Sequence, residues 1–185
     1  MSAQTWNQIL VVAQGDGSAL TAAAAASALP PQAKFTLPAN FFDYVGKAIR
    51  IKASGRISSL ITTPGTARFD VRFGGTVVAD GLAILLDTVA AHTNVGWYLE
   101  MFLTARAIGS SGNLMMQGFW VCEDILGVPA TAPKGVLSAI LPWNSAPAVG
   151  NNFDTTAAQT VDFFFTQTVA TGSLTLHQYI LESLN

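Results

Sequence analysis

From residue 47 onward apolar and polar side chains alternate with a period of two, the pattern a strand with one buried face requires and a helix cannot use. Ile49, Ile51, Ala53, Gly55 and Ile57 fall on one side of the run 47–61, and Arg50, Lys52, Ser54 and Arg56 on the other. After TTPGT the alternation resumes, with Phe69, Val71 and Phe73 against Arg68, Asp70 and Arg72. The two runs are expected to form an antiparallel pair turned at Pro64-Gly65. The same grammar returns in TVVADGLAILL, in WYLEMFLTAR, where Trp97, Leu99, Met101 and Leu103 oppose Tyr98, Glu100, Phe102 and Thr104, and in NLMMQGFWVC. GVLSAIL, TVDFFFTQTVA and SLTLHQYIL complete the series, and WNQILVVA opens it.

About eight or nine strands joined by polar turns, with no repeating βα unit, predict an all-β chain folded as an antiparallel β-sandwich. The one helical candidate, TAAAAASAL at 21–29, ends at Pro30-Pro31 and is too short to stand alone, so a short helical turn or a loop is expected there. Residues 1–40 read as an N-terminal arm with one candidate strand, and 41–185 as the sandwich domain.

Composition narrows what such a sandwich does. The 185 residues suit one domain that buries roughly 70% of the surface of its unfolded chain, so neither metal nor disulfide is needed to hold it. Only 11% of residues are charged, against roughly 25% in typical soluble domains, which leaves a weakly solvated surface suited to burial against partners. A formal charge of −2 argues against nucleic-acid binding, which draws its affinity from neutralised phosphates. The single cysteine, Cys122, excludes an internal disulfide, and with His92 and His177 it cannot make a Cys/His zinc cluster; a buried, inert thiol is expected. The first basic residue is Lys34, so a secretory signal is not expected. The uncharged runs 135–153 and 163–181 are interrupted by Pro, Asn and other polar residues and do not read as membrane spans.

Catalytic chemistry finds no foothold. The GDG at 15–17 lacks EF-hand spacing and reads as a turn, and no Walker A sequence is present. Neither histidine lies in a motif that ties it to a serine or to Cys122. Glu100, Glu123, Glu182 and the aspartates are scattered, with no pairing of the kind a glycosidase uses. The expectation is a protein that is not an enzyme, with no catalytic residue, cofactor or metal.

Six of the nine basic residues lie within 47–75. Arg50, Lys52, Arg56, Arg68 and Arg72 read either as a solvated outer face or as a partner-docking face that meets acidic groups on a neighbour. The nearby Phe69 and Phe73 project to the opposite side, which separates charge from stacking and disfavours a nucleic-acid groove. WYLEMFLTA and DFFFTQ carry large apolar groups on both faces, and the second face implies another subunit or a covering loop. A homo-oligomer is therefore expected.

LPANFFDYVGKAIRIKASGRISS, TTPGTARFDVRFGG, AHTNVGWYLEMFLTARAIGSSG, FDTTAAQTVDFFF and LTLHQYILESLN, in that order, resemble a group of small structural proteins of tailed bacteriophages. The resemblance runs from about residue 35 to the C-terminus, with a weaker match at TWNQILVVAQGDGSAL. It implies a jelly-roll-like sandwich in a virion assembled in the host cytoplasm, and no enzyme. The first function it implies is a capsid decoration protein that cements the head by binding the major capsid protein as an oligomer, a trimer being favoured. The alternative is a tail or fibre component that binds a receptor or carbohydrate, with Trp6, Trp120 and Trp143 as stacking candidates. The motifs themselves read as turn and packing signatures: Gly46 before a strand, Pro64 and Gly65 in a tight turn, Trp97 and Tyr179 as buried anchors.

Overall fold

A computed structural model describes residues 6–128 and 134–184. Two antiparallel sheets pack face to face. The first has the order β1 (Gln8–Val12), β12 (Ser173–Ser183), β4 (Ala48–Ser59), β8 (His92–Ala107), β9 (Asn113–Val128), β10 (Lys134–Leu141). The second has the order β2 (Ala25–Ser27), β11 (Gln159–Gln167), β5 (Thr66–Phe73), β6 (Thr76–Asp80), with β3 (Phe35–Leu37) added on β11 and β7 (Ile84–Leu85) on β5. Without the β9–β10 hairpin and the short β3 and β7, the eight remaining strands alternate between sheets as β1-β12-β4-β8 and β2-β11-β5-β6. This double Greek-key winding is a jelly roll. The hairpin widens the first sheet beyond β8.

The alternation seen in the sequence decides which side chains enter the core. Ile49, Ile51, Ile57, Trp97, Leu99, Met101 and Leu103 from the first sheet meet Phe69, Val71, Phe73, Phe163 and Phe165 from the second, and all are buried. Phe69 sits at the centre, its ring 5.0 Å from Trp120, 5.2 Å from Trp97 and 5.3 Å from Phe163. Trp97 and Tyr179 are buried as expected, and so is the Cys122 thiol.

Two expectations are corrected. The runs 47–61 and 66–73 become β4 and β5 but do not pair with each other: β4 lies between β12 and β8, and β5 between β11 and β6. Periodicity specifies which face of a strand is buried, not which strand lies beside it, and two strands that face each other across a core carry the same alternation as two neighbours. The Pro64-Gly65 turn exists, with Gly65 at φ +66°, but it carries the chain from one sheet to the other. A Cβ added at Gly65 would lie 2.6 Å from Val169 Cγ2, so glycine is required there for space as well as for backbone conformation.

The N-terminal 40 residues contribute three strands, where one candidate was expected. β1 pairs with β12, and backbone bonds from Ala13, Gly17 and Leu20 to Tyr179, Leu176 and Leu174 continue that border. Within the Ala-rich segment, Ala25–Ser27 form β2, paired with Phe164, Phe165 and Thr166 of β11, while 21–24 and 28–29 are irregular, as a loop would be. Alanine's helix preference is a few tenths of a kcal/mol per residue, about, and yields to the backbone bonds that an open sheet edge offers.

Candidate interaction face

The core sides of the two sheets are alike, but their outer sides differ. In the second sheet the outer side is closed by ion pairs. Arg72 Nε donates to Asp70 Oδ1 at 2.6 Å, Arg68 Nε to Asp80 Oδ1 at 2.7 Å, and Lys34 Nζ to Asp162 Oδ2 at 2.6 Å. Ser27 Oγ donates to the other Asp162 oxygen at 2.5 Å, and the Arg72 guanidinium covers the Phe164 ring at 3.8 Å. No large apolar side chain of this sheet is exposed among the described residues.

The outer side of the first sheet can be read row by row from the strand register. One row runs Ile9, Glu182, Arg50, Phe102, Gln117, and the next Val12, Ile180, Lys52, Glu100, Phe119, Ile140. A third runs Gln178, Ser54, Tyr98, Val121, Ser138. Ile9, Val12, Tyr98, Phe102, Val121 and Ile140 are exposed, and so is Leu137 at the register shift in β10. These groups stand on both sides of a central ionic cluster. Arg50 Nε donates to Glu182 Oε2 at 2.5 Å, and its Nη1 lies 3.6 Å from Glu100, while Lys52 Nζ lies 3.6 Å from Glu182. Two cations and two carboxylates thus cancel within the face. Tyr98 Oη donates to Glu100 at 3.0 Å, its ring lies 6.0 Å from that of Phe119, and Arg50 stands over Phe102. Tyr98 is a ridge between two hollows, one bordered by Gly96, Val121, Glu123 and Leu137, the other by Lys52, Ser54, Gln178 and Ile180.

This splits the basic stripe. Arg50, Lys52 and Arg56 lie on the outer side of the first sheet, while Arg68 and Arg72 lie on the opposite side of the sandwich, because β4 and β5 belong to different sheets. The five do not share a face. Arg56 is exposed between Thr175 and Gly96 of the neighbouring strands, and the other four are engaged by carboxylates of this chain. What the sequence reading did not assemble is the apolar face itself, because its members come from four strands, with β1 at 8–12 far along the chain from β8, β9 and β10. The signal was present in β8 alone, where Tyr98 and Phe102 alternate against the core.

The remaining candidates also find their places. His92 Nε2 lies 3.0 Å from Asp87 Oδ2, and His177 Nδ1 lies 2.9 Å from Asp16 Oδ1, so each histidine ties a loop to a strand. Among the described residues no cluster of three His, Cys, Asp or Glu side chains could hold a metal. Trp120 is fully buried and cannot stack on a ligand, Trp143 packs against the core, and Trp6 is exposed.

Burial alone would raise the Glu182 carboxyl, but the Arg50 and Lys52 charges outweigh it and hold the group below its ordinary value. A depressed carboxylate stabilises the fold above its unfolded value, and that contribution disappears as pH falls through the folded one. Denaturant midpoints are therefore expected to drop below about pH 4.3, and Glu182→Gln is expected to flatten that acid limb. A variant with the parent's acid limb would show that the cluster plays no part in it.

Two-sheet jelly roll with one ion-paired side and one apolar side is the class of protein these observations define. No protein-family description matches the chain, and no curated protein matches it. Among solved structures it is similar to the CBM2 module of the evolved Dit of Lactobacillus casei BL23 phage J-1, at 9% identity and a TM-score of 0.38, over 99% of this chain and 98% of that one. A likeness at that level says nothing about what this chain binds.

Proposed function

We propose that this chain is a structural subunit of a bacteriophage particle, without catalytic chemistry, held in place by burying the outer side of its first sheet against a protein neighbour. The observation that carries this reading is the difference between the two outer sides. Isolated exposed apolar residues are ordinary, but seven of them on four strands of one sheet side, on either side of a neutralised ionic cluster, are the composition of an interface. A rigid sandwich suits such a role because little conformational freedom remains to be lost on association. The phage setting rests on the motif order described above.

Two positions in a particle use a subunit of this kind. One is a cement on the head that bridges major capsid subunits; the other is a part of the tail or its fibres. Quantitative mass spectrometry of purified particles tests the proposal and separates the positions. The chain is expected in washed particles, in numbers comparable to the major capsid protein for the head or to a tail ring protein for the tail. Its absence from infectious particles would overturn the reading.

A further inference from the structure

The occupant of the apolar side remains to be assigned, and the assignment rests on the interface reading above. We infer that a second copy of this chain covers it: the outer side of the first sheet is a self-association surface in which Tyr98, Phe102, Val121 and Ile140 are buried between protomers.

Three features select a copy of the chain over an unlike partner. The first is area. Five strand spacings of about 4.8 Å, from β1 to β10, and about eleven residues per strand at about 3.4 Å give the whole face about 24 Å by about 37 Å, or roughly 900 Å². One partner's share of a stable interface is about 800 Å², so the face taken from edge to edge is large enough for a lasting contact.

The second feature is charge. Arg50 and Lys52 are already matched by Glu182 and Glu100 within the face. Beyond the cluster the face carries exposed Arg56 and exposed Glu123, one charge of each sign, so a strongly acidic or strongly basic partner would meet no matching excess there. A copy brings an equally neutral surface and no net repulsion.

The third is the distribution of apolar groups. They form two patches, one from β8, β9 and β10 and one from β1 beside the half-buried Ile180 of β12, separated by the cluster. Each protomer therefore carries an apolar patch on either side of the charges, which lets a two-fold copy set apolar patch against apolar patch. The Tyr98 ridge and its two flanking hollows supply the relief that an interdigitated contact uses.

Sedimentation velocity on the purified full chain, across a concentration series, tests the inference against the protomer mass of 19.4 kDa. Three variants accompany the parent: Phe102→Glu and Ile140→Glu on the face, and Ile61→Glu, exposed in the 60–65 connection away from it. The parent and Ile61→Glu are expected to sediment as the same oligomer. Both face variants are expected to shift to the protomer mass, with at least a tenfold weaker association constant and unchanged far-ultraviolet circular dichroism. Should one of them misfold, the other still reads the face.

An oligomer that survives both face substitutions would overturn the inference by placing self-association elsewhere. A monomeric parent overturns it too, and incorporation into particles then separates the two readings. If Phe102→Glu is excluded from particles that accept the parent, the face meets an unlike protein and the functional reading stands; if it is incorporated normally, both fall.

Discussion

Deleting residues 1–30 is expected to abolish the cooperative fold. The segment removes β1 from β12, β2 from β11, and the border residues 13–20 that bond to Tyr179, Leu176 and Leu174. It also removes Ala28 and Leu29 from the core. Each lost backbone bond is worth about 0.5–1.5 kcal/mol net, and a domain has only about 5–15 kcal/mol in total. Opening an edge of both sheets also leaves templates for intermolecular pairing. The deletion variant should lose its thermal transition and aggregate. If it stays soluble with the parent's circular dichroism and melting curve, the N-terminal strands are dispensable and the border described here carries no weight.

Trp120→Ala is expected to give the largest loss among single substitutions. The indole is fully buried, lies edge-on to Phe69, and belongs to β9 in the first sheet, so it joins the two sheets at the middle of the core. Emptying that volume should cost about 3–5 kcal/mol, which for a chain of this length lowers the melting temperature by roughly 6–20 °C. Tyr179→Phe is the control. Tyr179 is equally buried, but its hydroxyl has no hydrogen-bond partner, and burial, with the nearby Asp162 charge behind it, raises the phenol far above its ordinary value. Removing an unsatisfied buried hydroxyl at constant shape should be neutral or stabilising. A Trp120→Ala variant that melts within a few degrees of the parent, by about 2–4 °C per kcal/mol, would show that Phe69 and its neighbours repack across the gap.

Much of this architecture was legible in single strands. The alternation in β8 correctly assigns Trp97, Leu99, Met101 and Leu103 to the core and Tyr98 and Phe102 to the outside, because period two is imposed by backbone geometry and needs no knowledge of neighbours. Pairing was not legible, as β4 and β5 demonstrate: the partners of β4 lie at 92–107 and 173–183, and nothing local in 47–61 identifies them. The same gap explains the docking stripe. Arg50 and Arg72 look equivalent in sequence, yet Arg50 is matched by Glu182 on β12 and Arg72 by Asp70 on its own strand, on opposite sides of the molecule. β2 escaped notice for a different reason. Three residues of Ala-Ala-Ser carry no strand signal of their own and become a strand only because β11 leaves an edge to fill.

The place of β12 in the first sheet has a consequence for biosynthesis. It follows the other eleven strands in chain order, yet it sits between β1 and β4, so β1 has no native partner until β12 has been made, while β4 already has β8. β11, likewise late, stands between β2 and β5. The strands β4, β8, β9 and β10, and likewise β5, β6 and β7, can pair as they are made, whereas β1 and β2 wait for β12 and β11, so closure of both sheets is limited by slow long-range strand pairing. Without residues 173–183, β1 would lose its partner and β4 would become the open edge of its sheet.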